Sequence, residues 1–224
     1  MTQPKARIAI LASGTGSNAR IVIDHCRNGS LAADVVCVIA DDPAAGALDH
    51  ARATGVEAIA INAEQLGHDL FEQHVVDTLT ALDVELVVLA GFMRICRATF
   101  LDAFAGRTIN IHPSLLPAFP GRDGIGAALA AGVAQTGVTV HWVDAGIDTG
   151  PVIARQEVPI KTGDTRESLQ RRIQAVEHEL LPATIAALLP AILAVSQPAT
   201  TAMPQPATLA VPQPAILAEL TGAT

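Results

Sequence analysis

Cysteine is scarce in these 224 residues. Cys26, Cys37 and Cys96 are the only three, and no pair has CxxC spacing. An odd, scattered set argues against a disulfide framework and against a zinc site. The seven histidines include no HExxH pair, so no metal is expected. There is no GxSxG elbow, and Cys96 has no evident activating partner, so a covalent acyl-enzyme lacks a nucleophile. Basic clusters are also missing: 14 Lys and Arg stand against 22 Asp and Glu, a formal net charge of −8. Such a chain is a poor nucleic-acid binder, because phosphate neutralisation supplies most of that affinity. No stretch approaches 18 uninterrupted apolar residues, so no membrane span is expected. The opening MTQPKARIAILASG has two cations before a short apolar run. That run ends in a glycine turn and continues into globular sequence, which reads as a first strand and not a signal peptide. The expected setting is the cytoplasm, with small-molecule partners, no nucleic acid and no membrane; a homodimer is left open.

What is present is alternation. Apolar runs rich in Val and Ile recur at Arg7–Ala12, Val35–Ala40, Val56–Ile61 and Leu86–Ala90. Helical patterns lie between them, near Ser17–Asn28, Ala44–Thr54 and His68–Leu82. This order predicts an α/β fold: a mostly parallel, twisted, Rossmann-like sheet with helices on both faces. Thr108–Ile111, Thr139–Val143 and Val152–Ile160 read as the strands that close it. Asp164–Leu189 reads as a long C-terminal helix, capped by Thr162 or Asp164 and bent or interrupted at Pro182. Residues 1–190 are expected to form the working domain. Residues 191–224 form a Pro/Ala-rich tail in which Gln-Pro-Ala recurs at 197, 205 and 213, a low-complexity pattern without catalytic groups.

The first strand runs into Ser13-Gly14-Thr15-Gly16-Ser17-Asn18, and a helix follows. Glycines there let the backbone approach a ligand, and the helix N-terminus offers free N–H groups to an anion. Two guests fit. Gly14, Gly16 and Ala19 satisfy GxGxxA, and Asp41 ends the second strand, which is the outline of a dinucleotide site. A phosphorylated small molecule fits equally well.

A second constellation carries the chemistry. Asn110 and His112 alternate on one strand, so their side chains leave the same face. Three prolines follow His112 within eight residues, at 113, 117 and 120, and stiffen the loop. Asp148 sits in the glycine-rich turn Gly146-Ile147-Asp148-Thr149-Gly150-Pro151 between two strands. An amide can stabilise an oxyanion, an imidazole can move a proton, and a carboxylate can tune the imidazole or take the last proton. Without a nucleophilic Ser or Cys, the set suits direct acyl transfer through a tetrahedral intermediate.

Residues 89–95 (LAGFMRI), 110–121 (NIHPSLLPAFPG) and 146–153 (GIDTGPVI) resemble the folate-dependent formyltransferases. With the SGTGSN loop at 13–18 the resemblance narrows to the phosphoribosylglycinamide branch, and it extends from residue 6 to about 190. It implies that 10-formyltetrahydrofolate is the cosubstrate and that the anion is the 5-phosphate of a ribonucleotide, with no NAD. Gly16, Ser17 and Asn18 would hold that phosphate. Glu177 would bind the ribose hydroxyls, with Gln174 one turn before it. Met93, Arg94, Ile95 and Cys96 would line the folate pocket, with Asn110 and the loop Val143, Asp144, Ala145, Gly146 and Ile147 over the pterin. Asn110, His112 and Asp148 would be catalytic. The chain departs from the family pattern twice. His68 stands where relatives often have an Arg that meets the folate tail. Asp123 stands where they often have a His near the catalytic Asp. A formyltetrahydrofolate deformylase would share the three catalytic residues but is expected to carry an extra N-terminal domain. A methionyl-tRNA formyltransferase would carry a basic C-terminal one.

Overall fold

Seven strands form one sheet in the order β3-β2-β1-β4-β5-β6-β7. The structure is a computed structural model and describes residues 5–195. In chain order the elements are β1 (Ala6–Ala12), α1 (Ser17–Arg27), β2 (Ala33–Ala40), α2 (Gly46–Thr54) and β3 (Glu57–Ala60). Next come α3 (Ala63–Leu66), α4 (His68–Ala81), β4 (Leu86–Leu89), α5 (Ala98–Ala103) and β5 (Thr108–His112). The chain then makes α6 (Gly124–Ala130), β6 (Gln135–Trp142), β7 (Val152–Pro159) and α7 (Arg166–Val195). β1 to β5 pair in parallel, and β6 and β7 add antiparallel. The α/β expectation stands.

The period of two in the strands sorts the core into two layers. Ile8, Ile10 and Ala12 of β1 pack with Val22, Ile23 and Cys26 of α1, with α2 and with α7. Ala9 and Leu11 point the other way, onto Phe71, Val75 and Leu79 of α4 and Phe100 of α5. Strands buried on both faces explain the unbroken apolar runs.

Three features differ from the reading of the sequence. The short helices α3, α5 and α6 were not expected, because four to seven residues are too few to show a helical period. β6 starts at Gln135, not Thr139. Gly137 reads as a breaker, yet a Cβ there would collide with the Gln156 carbonyl of β7 and the Leu115 side chain. The glycine permits close backbone approach. Finally, α7 runs unbroken through Pro182 and Pro190 to Val195. Pro182 lacks the N–H that would bond four residues back. Leu180, Leu181, Ile185, Leu188 and Leu189 are all buried in the core around it. Each contributes about 1.5–3 kcal/mol relative to exposure, enough to carry the helix across the bonds missing at Pro182 and Pro190. By length and composition alone α7 could cross a membrane, with mean hydropathy 1.4, but these side chains are buried inside the fold. Ile192 and Leu193 also pack against the core, so the helix passes the expected boundary at 190. The Gln-Pro-Ala repeats lie outside the described residues.

Candidate active site

The chain order along the sheet reverses between β1 and β4, and ligands of open α/β sheets bind beyond the strand ends at such a switch point. A cleft of about 510 Å³ opens there. On one side is the loop Gly14–Asn18. Gly16 is left-handed at φ 77° and forms the N-cap of α1. A Cβ on it would strike the backbone of Ala47, so glycine is demanded twice, by the turn and by α2. No side chain caps α1, which leaves its first amides free for an anion. Asp41, the acid a dinucleotide would need, is instead paired with Arg94 at 3.7 Å.

α7 crosses the back of the same cleft with Gln174 and Glu177. Glu177 is 8% exposed and accepts a 3.0 Å hydrogen bond from Asn18 Nδ2. Burial pushes its carboxyl up to about 7, with the Asn18 bond opposing. Asn18 Oδ1 is buried without a partner. An acid held near neutrality beside an unsatisfied amide oxygen can take hydroxyl groups in both directions, as donor and acceptor.

The third wall is built by strand pairing. Asn110 on β5 lies directly opposite His141 on β6, and His112 opposite Thr139. Thr139 Oγ1 donates to the Ser114 carbonyl and accepts from Leu116 N, fastening the proline loop to the sheet. His112 Nε2 lies 2.8 Å from the Phe119 carbonyl and must donate to it. Its Nδ1 is 3.3 Å from Asp148 Oδ2, and carries a proton there only when the ring is an imidazolium. Asp148 reaches this point from a turn in which it adopts φ 55°. It accepts from Gly121 N at 2.7 Å and from Asn110 Nδ2 at 3.3 Å. Burial works against its charge, but the His141 ring, the Gly121 N–H and His112 together hold its carboxyl below the usual range. The three residues expected from the sequence therefore converge.

His141 was missed. Its Nδ1 lies 2.8 Å from the Trp142 carbonyl and donates to it; Nε2 lies 3.1 Å from Asn110 Nδ2 and 3.6 Å from Asp148 Oδ1, so it accepts from the amide when the ring is neutral and faces the carboxylate as a cation when the ring is protonated. The pairing register places it, with a shift of register between Val140 and His141, and no motif in the chain announces that. A histidine two residues after Thr139 in an alternating strand was the available signal.

A family model described as formyl transferase matches residues 6–185. The chain belongs to the formyl transferase family. Its relatives include the phosphoribosylglycinamide formyltransferase of Mycobacterium tuberculosis, 46% identical over 182 residues, covering 81% of this chain and 84% of that one. The enzyme of the same name from Bacillus subtilis is 40% identical over 180 residues, covering 80% and 92%. Among solved structures, glycinamide ribonucleotide transformylase 1 from Symbiobacterium toebii superposes with a TM-score of 0.82 at 42% identity, covering 84% of this chain and 89% of that one.

On the remaining wall of this formyl transferase cleft lie Met93, Arg94, Ile95, Cys96, Val143, Asp144, Gly146 and Ile147. Met93, Ile95 and Ile147 are about half exposed. That suits a flat apolar ligand, since such side chains gain by being covered. Cys96 is an inert wall, because burial raises its thiol to about 12. Two expected contacts do not line the cleft. Ala145 is exposed, and its turn neighbours Asp144, Gly146 and Ile147 reach the lining without it. His68 begins α4 with Nε2 3.4 Å from buried Glu72, a partner the sequence did not suggest. Asp123 does not line the cleft: it caps α6 through Gly126 N and pairs with Arg166 at 2.7 Å. Arg122, also unforeseen, donates to the Met93 carbonyl at 2.8 Å.

Proposed function

We propose that this chain transfers the formyl group of 10-formyltetrahydrofolate to the amine of 5′-phosphoribosylglycinamide, in the cytoplasm, as a step of purine (IMP) synthesis. The supporting observation is that Asn110, His112 and Asp148 meet in one cleft with the free amides of α1. The names of the relatives point the same way. The phosphate would sit on Gly16, Ser17 and Asn18, and the ribose hydroxyls on Glu177 and Gln174. The folate would lie along Met93–Cys96 under the turn 143–147, and the half-exposed apolar side chains fit its rings.

The amine attacks the formyl carbon, and the formyl oxygen gains charge. Asn110 Nδ2 and, when the ring is protonated, His112 Nδ1 meet at the two oxygens of Asp148 on the cleft wall, and donors so placed would stabilise an alkoxide beside them more than a carbonyl. Asp148, ionised, accepts the proton that the amine loses and returns that proton to the folate nitrogen as it leaves. Strand pairing and the proline loop fix these groups beforehand, so little reorganisation is needed.

The test is to incubate the protein with 10-formyltetrahydrofolate, with and without the nucleotide, and follow folate absorbance. Turnover only with the nucleotide is expected. Turnover without it indicates a deformylase, and none overturns the reading. Asp148→Asn should lower kcat by about two to four decades with little change in either KM, because its charge acts mainly in the transition state.

A further inference from the structure

Residues 91–97 lie in no helix or strand, yet they form the folate wall of the cleft. Nothing in their own backbone ladder fixes them, so other elements must. Ser13, at the start of the phosphate loop, donates its N–H to the Gly91 carbonyl at 3.1 Å and accepts at Oγ from Met93 N at 2.9 Å. Arg122 holds the Met93 carbonyl. Glu72 accepts from Arg97 N. Between these points stands Arg94. Its guanidinium lies 5.2 Å above the Phe71 ring and 3.7 Å from Asp41.

Asp41 just beyond β2 has no role in the transfer chemistry. Its side chain is 12% exposed, and that of Arg94 26%. Asp41 Oδ1 and Arg94 Nε are each buried without a hydrogen-bond partner. A carboxylate that enclosed is tolerated beside a cation and is costly without one. The separation exceeds a direct hydrogen bond, so attraction of charge carries the contact, and it acts strongly where water is excluded.

We infer that Asp41 is a positioning residue for the folate side of the cleft: it anchors Arg94 against Phe71 and so sets the path of Met93–Cys96. Without the carboxylate, the guanidinium loses its counter-charge and turns toward water. Met93 and Ile95 flank it in the chain and present their side chains at the cleft mouth, so they move with it. Ser13 ties the start of the phosphate loop to Gly91 and Met93, but the groups assigned to the nucleotide are held elsewhere, Gly16, Ser17 and Asn18 at the start of α1 and Gln174 and Glu177 on α7. The inference rests on the folate reading of this wall.

The experiment uses Asp41→Asn, which keeps shape and removes charge, with 10-formyltetrahydrofolate titrated at saturating nucleotide and the reverse. KM for the folate should rise about tenfold, the scale of one charge-assisted contact, with kcat and the nucleotide KM within about twofold. Arg94→Met should give a similar loss, and the double variant should be no worse than either. A merely structural carboxylate would lower the melting temperature and leave the folate KM alone, which overturns the inference. So would multiplied losses in the double variant. If Asp41→Asn fails to fold, Arg94→Lys decides. It keeps the charge but lacks the planar fork, and should raise the folate KM while leaving the nucleotide KM unchanged. An unaltered folate KM in that variant refutes the assignment. Wild-type protein that does not bind 10-formyltetrahydrofolate in calorimetry would instead remove the reading of the cleft, and this inference with it.

Discussion

Glu177→Gln separates what the fold tolerates from what the ligand needs. The carboxyl is buried on α7 with one hydrogen bond, from Asn18, and burial raises it from 4.5 to about 7. A raised carboxyl binds its proton more tightly in the folded chain than in the unfolded one. Its contribution to stability is therefore complete below about pH 4.5 and is lost as pH rises through about 7. The gap is equivalent to about 3 kcal/mol. An amide has the same shape and no charge to bury. It can accept from Asn18 Nδ2 and donate to Asn18 Oδ1, which has no partner.

The ligand-free variant should therefore match the wild type near pH 4.5 and exceed it by about 3 kcal/mol at pH 8. For a domain of this size that is a melting temperature higher by about 6–12 °C. Nucleotide binding should change in the opposite sense. Hydrogen bonds to a charged acceptor contribute about 1.5–3 kcal/mol, so affinity should fall about tenfold to a hundredfold. Differential scanning fluorimetry from pH 4.5 to 8.5 checks the first part, and calorimetry with the nucleotide the second. Parallel melting curves for the two proteins across that range would refute the claim that this acid is buried at a cost.

Three more outcomes follow from the geometry. His141→Ala should lower kcat by about one to two decades at unchanged KM, since the orientation of the Asn110 amide and one of the groups that keep Asp148 ionised are lost; an equal rise in KM would mean the cleft itself had collapsed. Gly14→Ala places its methyl in open space beside the cleft and should weaken nucleotide binding with melting unchanged, whereas Gly16→Ala meets Ala47 and should lower the melting temperature. Equal melting losses in the two would undo that distinction. Truncation after Pro190 removes the core contacts of Ile192 and Leu193 and should cost about 1–3 kcal/mol, read as a melting temperature lower by several degrees.

The parts of this molecule that were legible in the chain are those whose physics is local. Strand runs buried on both faces, the glycine turn before α1 and the Asn-x-His alternation on β5 each depend on neighbours within a few residues. Asp148 was visible for the same reason, a lone acid in a glycine-rich turn. Roles that depend on partners far along the chain were hidden. His141 acquires its function from a register between β5 and β6, 31 residues from Asn110. Asp41 looked like a ribose acid because it follows a glycine loop by the right distance, and only the folded path of residues 91–97 reveals its cation. Asp123 was expected beside Asp148 because it stands where relatives often have a His near that acid, but the first turn of α6 and Arg166 claim its carboxylate. In each case the residue type was informative and the partner was not. The partner set the role: a carboxylate beside a helix N-terminus, a guanidinium or two imidazoles performs three different tasks with the same atoms.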